Sequence, residues 1–241
     1  MSAFGAQTAA EVRMTLRRGE SLLLTLGIPV LLLVFFSLVD VLPTATAAPV
    51  DFLAPGILAL AVMSAAMVGL AIATGFERQY GVLKRIGTTP LGRSRLLIAK
   101  IGAIVLVELV QFAVLVIVGA SLGWRPPIGG VGAAVPAVLL GTAAFAGLGL
   151  CMAGRWKAEM VLAGANGLYL VLLLVSGMLI PLGKLPAPLR AVARLLPSAA
   201  LADVLRSALS SGVTGSPVAW LVLVVWAVAA PLAAARLFRW E

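Results

Sequence analysis

Six apolar stretches, each about as long as a bilayer is thick, leave this chain few ways to fold: Leu22–Val41, Leu53–Thr74, Leu96–Leu122, Val131–Met152, Met160–Ile180 and Val218–Ala235. A helix that crosses the hydrocarbon needs about 20 mainly apolar residues. No water is present there to satisfy backbone N–H and C=O groups, so only helices and closed barrels can span it. Runs that are this long and apolar on every side read as helices. The expected fold class is all-α integral membrane, with six transmembrane helices in one domain over 1–241. Composition agrees, since 11% of the residues are charged against about 25% in soluble domains. Ala45-Thr46-Ala47 mimics a leader cleavage site. The apolar run before it exceeds the roughly 7–15 residues of a signal h-region, so a retained first span is expected.

Charge sets the expected orientation. Arg13, Arg17 and Arg18 precede the first stretch, and the 75–100 segment carries Arg78, Lys84, Arg85, Arg93, Arg95 and Lys100. Arg155 and Lys157 lie between the fourth and fifth, and Arg236 and Arg239 in the tail, which makes 13 of the 18 cationic residues. The loops at 42–52 and 123–130 hold only Arg125. Cytoplasmic loops carry the Lys/Arg excess, so both termini are expected in the cytoplasm. The fifth connection, Pro181 to Pro217, departs from this pattern with Lys184, Arg190, Arg194 and Arg206 on the expected outer side. A pI near 11 is explained by anionic lipid rather than nucleic acid, because the charges sit beside apolar spans. Arginine outnumbers lysine fourteen to four and alanine is abundant, which fits a GC-rich bacterial gene and a bacterial cytoplasmic membrane.

Chemistry by this chain is not expected. It has no histidine and a single cysteine, Cys151, inside an apolar run. His-based acid–base catalysis, Cys/His metal sites and an internal disulfide are therefore excluded. No G-x-x-x-x-G-K-[ST] phosphate loop occurs, and LIPLGKL lacks both its first glycine and its Ser/Thr. The chain holds no cofactor and no metal on this reading.

The one long charged passage is GFERQYGVLKRIGTTPLGRSRLL, Gly75 to Leu97. Phe76, Tyr80, Leu83 and Ile86 recur at helical spacing, with Glu77, Arg78, Lys84 and Arg85 on the other side, so a short amphipathic helix is expected. Pro90 pushes Thr89 out of the helical region and ends it. Such a helix either lies on the lipid surface or docks against another protein. At the N-terminus, Phe4, Val12 and Leu16 with Arg13, Arg17 and Arg18 suit a second interfacial helix over 1–20.

The passage resembles the cytoplasmic loop of type-2 ABC exporter permeases of the daunorubicin-resistance kind. The matching residues are Glu77, Arg78, Gly81, Leu83, Lys84, Arg85, Thr89, Pro90 and Leu91. A second stretch, SGMLIPLGKLPAPLRAVARLLPSAALADVLRSAL, is similar to that family's outer motif at Ser176, Gly177, Pro181, Leu185, Pro186, Pro197 and Arg206. The resemblance implies that 76–91 is a coupling helix received by a separate ATPase subunit, and that 181–210 forms short outer re-entrant helices. It also implies two ATPase copies that bind Mg-ATP, a second permease copy or related permease, and a cytoplasmic helix beside the ATPase at the N-terminus. The function implied is ATP-driven export of a hydrophobic or amphipathic drug, lipid or glycolipid.

Glu108 is the one acidic residue deep in a span, some 18 Å from Leu96 at about 1.5 Å per residue. Gln111 follows on the same face. Glu108 either holds helices together as a neutral hydrogen-bonded acid or lines a translocation path, and Asn166 reads as an interhelical hydrogen bond. Gly141, Gly147, Gly149, Gly154, Gly164 and Gly167 read as close helix packing. Two other functions stay open: an ATP-independent secondary transporter using Glu108, and a membrane scaffold or assembly subunit.

Overall fold

The computed structural model of the chain describes residues 19–39, 48–87, 92–210, 213 and 215–238. Arg13, Arg17, Arg18, Thr89 and Pro90, with the expected N-terminal helix, lie outside them, as does the side chain of Arg85. Among the described residues every regular element is helical. The helices are α1 (Gly19–Leu38), α2 (Pro49–Gln79), α3 (Val82–Gly87), α4 (Gly92–Ser121), α5 (Val131–Ala153), α6 (Ala158–Val175), α7 (Ala187–Ala193), α8 (Pro197–Leu209) and α9 (Pro217–Leu237).

Five of them, α2, α4, α5, α6 and α9, are long and apolar enough to cross a membrane, and α1 adds a shorter apolar stretch over Leu26–Leu38. α2 and α5 form the centre of the bundle. In their most apolar windows 72% and 56% of residues are buried, against 28%, 22% and 22% for α4, α6 and α9. α2 is enclosed by α1, α4, α5, α6 and α8, while α5 packs chiefly on α9 and α2 and then on α8. Gly141, Gly147 and Gly149 mark where α5 comes closest to α8, α9 and α2 respectively, so the glycine-rich fourth stretch serves close helix packing.

The structure redraws the second stretch. A span over 53–74 followed by a separate helix over 76–91 is expected, yet α2 runs on without a break through Gln79. At about 1.5 Å per residue its 31 residues measure roughly 46 Å, well beyond the ~30 Å hydrocarbon core. One π-helical turn, Ser64–Gly69, interrupts its regularity at mid-length. The stop falls at Gly81, inside the expected coupling helix. Tyr80 N–H bonds the Phe76 carbonyl and Gly81 N–H bonds the Arg78 carbonyl. Gly81 then adopts φ +70°, a conformation costing a side-chain-bearing residue roughly 1–2 kcal/mol. Phe76 and Tyr80 stack at 6.0 Å on the last turn of α2, and Leu83 is buried on the separate short α3.

The fifth stretch is also corrected. α6 ends at Val175 rather than near 180, because Ser176 and Gly177 stop it: Met178 N–H donates to Ser176 Oγ, and Gly177 has φ +76°.

Candidate coupling end and outer joint

At the basic end of the bundle, the last turn of α2 reaches sideways to two neighbours. Glu77 Oε2 lies 2.5 Å from Lys100 Nζ of α4, with 14% and 4% of the side chains exposed. Arg78 donates through Nη1 to the Gly154 carbonyl at 2.7 Å and through Nη2 to the Trp156 carbonyl, both in the turn between α5 and α6. Gln79 completes the stitch. Its Nε2 donates to Glu159 Oε1 at 2.9 Å, and its Oε1 accepts from the Ala158 N–H at 3.2 Å. Phe76 to Gln79 therefore form part of the bundle, while Tyr80, 68% exposed, and Lys84 face outward.

At the opposite end, two residues of the outer motif, Gly177 and Arg206, meet. Arg206 Nη2 on α8 donates to the Gly177 carbonyl at 2.9 Å, and its guanidinium stands 4.0 Å over the Phe52 ring of α2. A Cβ on Gly56 of α2 would come within 2.2 Å of the Met178 carbonyl oxygen, so only glycine lets the broken end of α6 seat there. An arginine in this setting stays charged at neutral pH.

The chain between α6 and α9 folds back among the helices. Trp226 Nε1, nine residues after the first residue of α9, donates to the Leu195 carbonyl at 2.8 Å. α8 then climbs along α5, from Leu201 beside Gly141 to the Ala208 carbonyl beside Gly130, and Ser210 Oγ donates to the Asp51 carbonyl. Pro197 occupies the first turn of α8, where a missing N–H costs nothing. Pro186 caps α7, and Pro181 precedes a 3₁₀ turn, Leu182–Lys184.

Residues 2–210 match the family described as ABC-2 type transporter. The chain belongs to that family. A search among curated protein sequences found no match. As an ABC-2 protein it is a membrane permease subunit of an ABC transporter, a transport component that associates with an ABC ATPase and belongs to a family of typically paired permeases.

The remaining polar candidates of this ABC-2 permease separate clearly. Glu108 and Gln111 are both buried, at 1% and 2% exposure. Thr142 Oγ1 of α5 lies 2.7 Å from Glu108 Oε2 and 2.9 Å from the Val138 carbonyl. A hydroxyl has one proton for two acceptors. Thr142 Oγ1 thus has the Glu108 carboxyl oxygen and its own helix's Val138 carbonyl as competing acceptors, and the first ties α5 to α4. Asn166 differs from its expected interhelical role: its Nδ2 donates to the Leu162 carbonyl of its own helix, on an exposed face. Sequence reading did not single out Gln79, Phe52 or Gly56, and counted Lys100 for topology alone. Their partners are main-chain carbonyls or distant side chains that leave no local signature.

Proposed function

We propose that this permease exports a hydrophobic or amphipathic substrate (drug, lipid or glycolipid) outward across a bacterial cytoplasmic membrane, with both termini cytoplasmic. Two copies of a separate ATPase subunit, loaded with Mg-ATP, drive it, and a second permease copy or related permease completes the pathway. One observation carries the reading: α2 is a single helix from the outer joint to Gln79, and Gly81 redirects the chain there into the short α3. A partner that grips Tyr80, Lys84 and α3 moves a rod whose other end carries Phe52 and Gly56. Coupling then requires the ATP-bound and ATP-free partner to favour different arrangements of the bundle by different free energies. The sparse charge of the spans supports an apolar cargo.

The alternative built on Glu108 has less support, because Thr142 already engages that carboxyl group within the bundle. The test is reconstitution of the permease with its ATPase subunit in vesicles and measurement of the flux of a fluorescent lipid or dye. ATP-dependent flux that survives collapse of the proton gradient and is retained by Glu108→Gln is expected. Flux that runs on a proton gradient without ATP, and is lost in Glu108→Gln, would establish the secondary transporter instead.

A further inference from the structure

The hairpin of α7 and α8 carries two arginines to a depth where arginine is costly. α9 has 21 residues and measures about 31 Å, close to the ~30 Å hydrocarbon core. With both termini cytoplasmic, Pro217 stands at the outer edge of that core. Trp226, which holds the Leu195 carbonyl, is then about 14 Å below the edge. α5 gives the same depth independently, since Leu201 of α8 sits against Gly141, about 15 Å along the helix from Val131. Arg194 adjoins Leu195, and Arg190 lies one turn earlier on α7.

Neither arginine has a carboxylate partner among the described residues. Arg190 gives Nη2 to the Leu185 carbonyl at 3.2 Å, and the exposed Arg194 side chain has no partner among them. No acidic residue occurs between Glu159 and Asp203. Glu159 is at the far end of α6 and accepts from Gln79, and Asp203 stands one turn before Arg206 on α8. A cation at membrane depth faces protein or a water-filled cavity and pairs with a counter-charge. Two simpler accounts fall short. A C-terminal dipole favours cations, but weakly on a helix as short as α7. Snorkelling lifts a guanidinium by no more than its own side chain, which is shorter than the distance to the edge. Leu189, Val192 and Leu195 are exposed as well. Arg190 and Arg194, four apart, share one side of α7, while Leu189 and Val192, three apart, share another. A cationic strip and an apolar strip thus lie side by side, and the bundle covers neither.

We propose that this side of α7 binds the cargo by an acidic headgroup: a phosphate ester on acyl chains, with Arg190 and Arg194 on the phosphate and Leu189, Val192 and Leu195 along the chains. The inference rests on the reading of the permease as an exporter of amphipathic cargo and narrows that cargo to anionic lipids. A guanidinium presents paired N–H donors that match phosphate oxygens, and the low dielectric at this depth strengthens the attraction. Inorganic phosphate would leave the apolar strip uncovered. A second copy docking by the same face would set four arginines against one another.

The test uses the full chain with its ATPase subunit, loaded with phosphatidic acid and phosphatidylcholine of identical chains in varied ratio. Retention of each lipid is read by native mass spectrometry, and ATP-driven flux of the fluorescent form of each is read in vesicles. Phosphatidic acid is expected to be retained about tenfold more tightly than phosphatidylcholine. Arg194→Gln is expected to remove most of that preference and to slow phosphatidic acid flux in proportion, and Arg194→Lys, which keeps the charge without the fork, to lie between. Arg125→Gln, at an exposed cation before α5, is expected to change neither. Equal retention of the two lipids by the unaltered protein, or an equal loss in Arg125→Gln, overturns the site. So does full displacement of phosphatidic acid by inorganic phosphate, which would mark a free-anion site. Unchanged retention in Arg194→Gln with separation of paired permeases would show that a second copy covers this face instead. Retention lost in Arg194→Gln while phosphatidic acid flux stays the same would make the bound lipid a resident and not the cargo. Flux of both lipids at equal rates with no retention preference removes the α7 site and keeps the exporter. A retention preference with no ATP-driven flux of either lipid keeps α7 as a lipid site and removes the export reading.

Discussion

Glu77 and Lys100 illustrate how the charged passage works one residue at a time. Both side chains are largely buried and lie 2.5 Å apart across α2 and α4. Removing one member of such a buried ion pair costs roughly 3–5 kcal/mol, whereas replacing both by uncharged groups is often close to neutral. Glu77→Ala is therefore expected to lower the unfolding midpoint in detergent sharply, and Glu77→Gln with Lys100→Met to recover most of the loss. Equal damage from the single and double variants would show that the ion pair is not what holds these ends together. The pairing was hidden in the sequence, where Glu77 reads as the start of an amphipathic face and Lys100 as a topology charge. Arg78 was hidden further still, since main-chain carbonyls 76 and 78 positions away look the same whatever residue carries them.

At the scale of elements, the places where the chain stops being helical decide what each segment does. Phe76, Tyr80, Leu83 and Ile86 keep a helical rhythm straight through Gly81, so periodicity alone joins what the structure divides. The glycine was the visible warning, at a cost of about 1 kcal/mol against alanine inside a helix. Likewise Met178-Leu179-Ile180 extends the apolar run of the fifth stretch past the true end of α6, and hydropathy does not register the Ser176-Gly177 stop. The long apolar runs themselves were legible, because bilayer thickness imposes a length that composition shows directly.

α8 follows a different rule. In hydrocarbon, burying leucine against leucine gains little over lipid, so close fit and polar contacts position a helix. Arg206 supplies both, through a charge-assisted hydrogen bond worth about 1.5–3 kcal/mol and a desolvated cation–π contact worth about 2 kcal/mol. Arg206→Leu is expected to keep the protein in the membrane and bound to its ATPase while making the 195–210 segment at least tenfold more open to protease. Unchanged protection would mean that packing alone seats α8.

For the whole molecule, the arrangement reduces to a central pair, α2 and α5, with three more exposed spans around it and two contact regions at opposite ends of α2. The outer joint can be locked by replacing Asp51 and Ser210 with cysteine, since Ser210 Oγ already donates to the Asp51 carbonyl. Oxidation is expected to abolish substrate stimulation of ATP hydrolysis in the complex, and reductant to restore it. Stimulation that persists in the oxidised protein would show that the two ends of α2 work independently.

The unbroken length of α2 has a consequence that runs against the direction of drive. Equilibrium coupling between two sites is symmetric: whatever factor a nucleotide-loaded ATPase at Tyr80 applies to the balance of states at Phe52, a molecule wedged beside Phe52 applies to nucleotide affinity. If the permease exports as proposed, a ligand that reaches α8 only from outside the cell would thus be read inside as a change in ATP occupancy, and the transporter would double as a sensor of its own exit.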